Sequence, residues 1–247
     1  MIRTYREQAI VLRSYKLGEA DRILVLLGRD SGQIRAVAKG VRRTSSKFGS
    51  RLASFNLVDV QLHRGRSLDV VAQAETLSAY SAALSDGYPA FSNAKLMVEI
   101  AQRLTEGREE PAPEQFELLH GALHALAAGS KPPTLVGTAY VLRSMALEGW
   151  LPELRTCVSC GQEGNLSRFS PEGGGAFCAS CAPPEAAPLP PGAAELLDAL
   201  VSADWVAAGS HPSELWEQAR EVAGAWSQHH LEQRLKALPF ATAGAVN

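Results

Sequence analysis

The hydrophobic pattern changes period near residue 80. Before it, apolar residues come in short runs, some continuous and some alternating with polar ones, broken by turn signals. After it, they recur every three or four positions. The first texture belongs to β-strands and the second to amphipathic helices.

In the first part, residues 8–12 and 22–27 read as strands separated by Gly18-Glu19-Ala20. Asp30-Ser31-Gly32 reads as a tight turn, with Gly32 free to take a positive φ. Residues 33–38 alternate, with Ile34, Ala36 and Ala38 on one face and Arg35 on the other. Residues 57–63 and 68–74 follow, joined by a turn at Arg64-Gly65-Arg66. Five short strands in about seventy residues, with a long central loop, predict a small barrel of the oligonucleotide/oligosaccharide-binding (OB) type. Strand order is not readable from pattern, so an SH3-like barrel remains open.

In the second part, residues 91–104 put Leu96, Ile100 and Leu104 on one stripe. Residues 114–126 repeat the pattern and stop near Gly129. A third helix opens at Pro133 or Thr134 and runs through Leu147. A fourth starts at Ala193. A fifth spans 213 to about 238, with Leu215, Ala219, Val222 and Trp226 inward, and a frayed tail follows Pro239. The expected class is α+β and multidomain. A five-stranded OB-type β-barrel occupies residues 1–79. An α-helical domain covers 80–154 and 183–247, and a four-cysteine module is inserted at 155–182.

Composition adds little, and charge adds more. The chain has 247 residues, 46% of them hydrophobic, ordinary for a protein that can bury a core. No apolar run approaches the roughly 18 residues of a membrane span. The first residues lack the apolar stretch of a signal peptide, so the expected location is cytoplasmic. The net charge of −2 hides an asymmetry. Residues 1–79 hold 14 Lys+Arg against 7 Asp+Glu, a net +7, and the remainder carries −9. The basic part would attract a polyanion by long-range electrostatics, and the acidic part suits other contacts.

The basic charge concentrates in residues 38–51. That stretch carries Lys39, Arg42, Arg43, Lys47 and Arg51 without an anion, together with Phe48 and three consecutive hydroxyl residues. It has no periodicity that would bury it, so it reads as an exposed loop. Cations neutralise phosphates, hydroxyls and backbone N–H groups bond their oxygens, and Phe48 is placed to stack on a base. Arg35 adds charge beside it. Tyr15 and Phe55 are further stacking candidates, Phe55 also fitting the core.

All four cysteines fall in Cys157-Val158-Ser159-Cys160 and Cys178-Ala179-Ser180-Cys181. Two residues between thiolates let each knuckle set both sulfurs on one ion, and two knuckles complete a tetrahedron. One structural Zn2+ is the expectation. A disulfide framework does not suit a chain without a secretion signal, and a thioredoxin-type pair needs a βαβ setting. Four sulfurs leave no open position for catalysis, and Thr156 and Phe177 precede the two pairs where the deaminase signature has Pro. Arg155 and Arg168 are nearby cations that could offset thiolate charge. His120 and His124 lack the Glu of a zinc-protease helix, since Gly121 follows His120. His229 and His230 read as surface residues. No phosphate loop and no local catalytic triad is present, and a triad assembled in space stays open.

With these parts in view, the chain resembles the bacterial RecO family. The residues that carry the likeness are Gly18-Glu19-Ala20-Asp21-Arg22-Ile23, then Gly32 through Arg43, then Lys47-Phe48-Gly49. It continues through Leu62-His63-Arg64-Gly65-Arg66 and Gln73-Ala74-Glu75 to the helices and cysteines. The resemblance implies a recombination mediator of the RecFOR pathway of DNA repair, nucleoid-associated and not an enzyme. Such proteins bind single- and double-stranded DNA, anneal complementary strands, and with RecR help RecA replace single-strand binding protein. It maps the DNA-binding cations onto Arg35, Lys39, Arg42 and Arg43. Lys47, Phe48 and Arg51 join them by charge and position only. It implies no membrane partner and no small-molecule substrate. The rival readings are a passive OB-fold and zinc module of transcription or translation, and a zinc-dependent enzyme acting on nucleic acid, against which the closed four-sulfur set argues.

Overall fold

A computed structural model describes residues 4–43, 46, 48–85, 87–108, 110–232 and 234–242. The chain divides into two compact units, Met1–Ser130 and Lys131–Asn247.

The first unit is built on a closed barrel. Strands β1 (Thr4–Leu17), β2 (Asp21–Gly28), β3 (Gly32–Ala38), β4 (Leu57–His63) and β5 (Asp69–Ser78) close in the order β1-β2-β3-β5-β4. β3 meets β5 in parallel at Ala36–Asp69 and Val37–Val70, and every other pairing is antiparallel. Five strands closed with one crossover are the OB arrangement, which settles the alternative left open by pattern. Gly32 takes φ 66°, as the β2–β3 turn requires.

Barrel filling follows the alternation. Ile34, Ala36 and Ala38 point inward with Leu24, Leu26, Val58, Val60 and Leu62. Arg35 points out. β1 is far longer than the five residues expected. Its first half pairs with β4 and its second half with β2, overlapping only at Ala9 and Ile10. A bulge between Val11 and Arg13 bends it between the two partners.

The outer face of the barrel is partly covered. Ile10, Leu12, Val25 and Leu27 lie outside the inner cluster and are still buried. Helix α2 (Tyr88–Thr105) packs against β1, β2 and β3, and α3 (Pro113–Ala128) packs against β2. The α2 stripe of Leu96, Ile100 and Leu104 is buried as its spacing predicts. A five-residue helix α1 (Tyr80–Leu84) precedes them.

The second unit has helices α4 (Pro133–Leu147), α5 (Ala193–Val201), α6 (Trp205–Gly209), α7 (Ser213–His230) and α8 (Leu238–Thr242). α4 packs on α5 and α7. Leu215, Ala219 and Trp226 of α7 are buried and Val222 is half-buried. α7 stops at His230, short of the expected 238, and the chain turns before α8. Between α4 and α5 lies a small sheet of β6 (Leu166–Ser170), β7 (Gly175–Cys178) and β8 (Ala187–Pro188), ordered β7-β6-β8. No helix among the described residues is long and apolar enough to cross a membrane.

Candidate nucleic-acid interface and metal centre

The barrel pairing aligns charge across three strands. Arg13 on β1 stands opposite Val25 on β2, and Val25 opposite Arg35 on β3. The next outward row is Tyr15, Ile23 and Val37. Directly opposed residues of antiparallel strands share one face, so two exposed arginines and one exposed tyrosine share the β1-β2-β3 surface. Arg13 lies over the Tyr15 ring, 4.8 Å from its centroid. The strand 2–3 face is where OB barrels meet oligonucleotides.

The basic loop is tied to that surface. Gly40 N–H donates to Asp21 Oδ1 at 2.7 Å, and Arg42 N–H donates to Ala20 O at 2.9 Å. Arg42 Nη1 also donates to Gly18 O at 3.2 Å. These bonds join the end of β3 to the β1–β2 turn and leave Lys39, Arg42 and Arg43 exposed. Among the described residues, no carboxylate stands within ion-pair distance of Arg13, Arg35, Lys39 or Arg43. Four of the expected cations, Arg35, Lys39, Arg42 and Arg43, therefore come together on one side.

The other three expectations fare differently. Lys47 lies outside the described residues. Phe48, expected to stack on a base, is 6% exposed and packs in the barrel core with Leu52. Stacking gains about 1–3 kcal/mol per base, whereas emptying a core phenylalanine position costs about 3–5 kcal/mol, so burial wins. Arg51 turns toward β5, where its Nη1 donates to Ala74 O at 3.3 Å. It lines a cleft of about 810 Å³ with Arg6, Asp59, Gln61, Gln73 and Glu75. That cleft is of mixed charge and suits a phosphate chain poorly.

Phe55 is also buried, edge-on to Phe91 at 5.6 Å. Arg13 and Tyr15 carry the row instead. Simple alternation from Val11 would turn Arg13 inward, and the bulge between Val11 and Arg13 is what sets it outward. Arg64 and Arg66 sit exposed in the β4–β5 turn, with Arg64 5.0 Å over the Tyr5 ring. The Tyr5 hydroxyl donates to Asp69, and burial together with that carboxylate pushes the phenol's pKa up.

In the second unit the four cysteine sulfurs lie within 4.8 Å of one another. A tetrahedron of sulfurs at about 2.3 Å from an ion has edges near 3.8 Å, so the knuckles stand within about 1 Å of closure. Cys157 N–H donates to Gln162 O and Gly161 N–H to Cys157 O, folding the first knuckle. The second follows the β6–β7 hairpin, whose Gly175 has φ 151°. A Cβ there would stand 2.3 Å from Glu153 O, so only glycine lets that backbone approach. Glu153 in turn accepts N–H bonds from Thr156 and Arg155, which hold its carboxyl below the usual range.

The sulfurs oppose one another's ionisation. N–H groups of Cys178 and Cys160 bring the Cys157 thiol down to about 6. The neighbouring sulfurs of Cys178 and Cys160, with burial, push Cys181 up to about 12. A metal cation removes that opposition, so this donor set could hold a metal ion. The expected charge offset by arginine is not seen. Arg155 pairs with Asp198 at 3.0 Å, and Arg168 donates to Ala186 O. Among the described residues, these cysteines form the one group of His, Cys, Asp or Glu side chains close enough to hold a metal.

The histidines pack against rings. His120 lies 6.1 Å from Tyr80 and 6.2 Å from Phe116. His230, expected at the surface, is half-buried. It stacks on Trp150 at 5.4 Å and meets Trp226 edge-on at 4.2 Å.

Comparison with known proteins agrees with both halves. Residues 1–80 match the family model described as recombination protein O N terminal, and residues 87–239 match recombination protein O C terminal. A protein of Cutibacterium acnes named DNA repair protein RecO is 47% identical over 244 residues, covering 96% of this chain and 98% of its own length.

Proposed function

The chain belongs to the recombination protein O family, and from that premise we propose that it is a non-enzymatic recombination mediator of DNA repair. It binds single- and double-stranded DNA and anneals complementary strands. With RecR it assists RecA onto DNA coated with single-strand binding protein. The observation that carries this reading is the exposed set of Arg13, Arg35, Lys39, Arg42 and Arg43 on one side of a closed barrel, with no carboxylate in ion-pair distance of them among the described residues.

The physical role is electrostatic and entropic. Two phosphate backbones repel, and cations on one surface reduce that repulsion while raising the local strand concentration. Lys39, Arg42 and Arg43 sit on a loop whose ends are fixed, so phosphates meet cations already in place. Tyr15 offers a stacking face beside the row. In the second unit Cys157, Cys160, Cys178 and Cys181 hold one Zn2+, which supplies a rigid cross-link rather than chemistry. Working on DNA with these partners, the protein is cytoplasmic.

The test is annealing of complementary strands coated with single-strand binding protein, with and without RecR. The protein should accelerate pairing, and RecR should alter that rate. A passive binding module would slow pairing by occupying the strands, and that result would overturn the mediator role.

A further inference from the structure

Helix α2 carries an unusual cation. Lys95 is half-buried, with its Nζ 5.1 Å from the Phe55 ring centroid and 5.4 Å from that of Phe91. Among the described residues no carboxylate lies within ion-pair distance of it. Burial lowers its pKa, and the charge of Arg13 lowers it further. A half-buried ammonium beside a like charge is costly unless something outside compensates it.

Its surroundings are exposed aromatics. Tyr88, Phe91 and Lys95 stand at i, i+3 and i+7 of α2, one stripe of the helix. Tyr88 is 50% exposed and Phe91 37%. The support beneath them is held against a backbone preference. Phe55 has φ 79°, a left-handed conformation that bulky residues rarely adopt. Its N–H donates to Val11 O at 2.7 Å, which fixes the ring under Lys95 and edge-on to Phe91. The patch continues the barrel surface, because Arg13 belongs to the row that includes Arg35.

We infer that single-stranded DNA leaving the β1-β2-β3 face crosses β1 onto α2, with a phosphate between Arg13 and Lys95 and bases stacked on Phe91 and Tyr88. This rests on the proposed DNA-binding role of the barrel and extends it to a path. The occupant follows from charge and continuity. Two cations with no carboxylate in ion-pair distance among the described residues select a polyanion, and the aromatic stripe takes base faces regardless of sequence. An acidic peptide would satisfy the charge alone, and would have no need of continuity with the Arg35 row.

The experiment measures binding of the full chain to oligothymidylates of about 8 and about 30 nucleotides, one within and one beyond the ~4–16 that one OB barrel covers. The proteins are wild type, Arg35→Ala, Lys95→Met and Phe91→Ala. Lys95→Met keeps the apolar stem, and circular-dichroism melts confirm that each variant folds. Arg35→Ala should weaken both oligonucleotides. Lys95→Met and Phe91→Ala should weaken only the long one, by roughly fivefold or more, and Lys95→Met should flatten its salt slope by about 0.7. Photocrosslinking of the long strand carrying 5-iododeoxyuridine should label Tyr88 or Phe91, read by mass spectrometry. If Arg35→Ala weakens binding while Lys95→Met and Phe91→Ala change neither length nor crosslink, the α2 path is wrong and the barrel reading stands. If no variant or wild type binds DNA, the barrel reading fails instead. Loss of acidic-peptide binding in Lys95→Met with DNA binding intact would assign the patch to a protein partner and overturn the path.

Discussion

Asp21 accepts the backbone N–H of Gly40 at 2.7 Å, and so fastens the start of the basic loop to the start of β2. Gly40 itself takes φ 66°, a conformation that costs other residues about 1–2 kcal/mol. The sequence Asp21 to Gly40 thus closes on itself, and the cations that follow Gly40 project from a fixed point.

The first prediction separates this tether from simple charge. Asp21→Asn keeps an acceptor and removes an anion near the loop, so it should bind single-stranded DNA at least as tightly as wild type. Asp21→Ala removes the acceptor as well. A hydrogen bond of this class contributes about 1–2 kcal/mol, so Asp21→Ala should bind severalfold more weakly than Asp21→Asn by fluorescence anisotropy. Equal affinities would show that the bond does not position the cations.

The salt dependence should assign the cations one by one. On single strands the slope of log affinity against log salt is about −0.7 per phosphate contact. Lys39→Ala, Arg42→Ala and Arg43→Ala combined should therefore flatten the slope by up to about 2 units. Arg51→Ala should leave it unchanged, because that side chain faces the mixed-charge cleft by β5. A matching loss for Arg51 would place the DNA in the cleft.

Metal removal should be local. Gently purified protein should contain about one zinc per chain by elemental analysis, since the donor set is complete within itself. Chelation should collapse the β6–β7 hairpin and its knuckles while the barrel retains its own melting transition. Hydrogen exchange after chelation locates the change. Loss of protection in β1 to β5 would contradict it.

His230 makes the second unit sensitive to acid. Burial and the neighbouring His229 lower its pKa, so the folded state binds fewer protons there than the unfolded chain. Stability then falls as pH drops below the unfolded histidine value of about 6.5, and stops falling below the depressed folded value. His230→Phe keeps a ring between Trp150 and Trp226 and removes the titration. The stability gap between wild type and His230→Phe should shift against wild type between pH 7.5 and pH 5, about the histidine range. A pH-independent gap would refute this account.

The parts of the fold with strict local periodicity were legible in advance. β3 is the clearest, since Ile34, Ala36 and Ala38 alternate with an outward Arg35, and its bounding turn demands Gly32. The Cys knuckles are legible for the same reason, a spacing that suits the geometry of one ion. Phe48 and Arg51 were not. Nothing adjacent in the sequence says that a loop ring will plug a barrel end, or that a neighbouring arginine will turn to β5. Arg13 was missed because the Val11–Arg13 bulge resets the strand's parity. Helices α1, α6 and α8 have five residues each, too few to show a period.

The two-residue parallel seam between β3 and β5 governs how the barrel assembles. β1, β2 and β3 form a meander of adjacent hairpins whose closure entropies are small. The seam instead brings together Ala36 and Asp69, with the whole basic loop and β4 between them. Contacts of that separation form slowly and return few bonds until the ring is complete. The barrel's transition state should therefore contain the meander and lack the seam, leaving mutations at Val37 or Val70 to speed unfolding rather than slow folding.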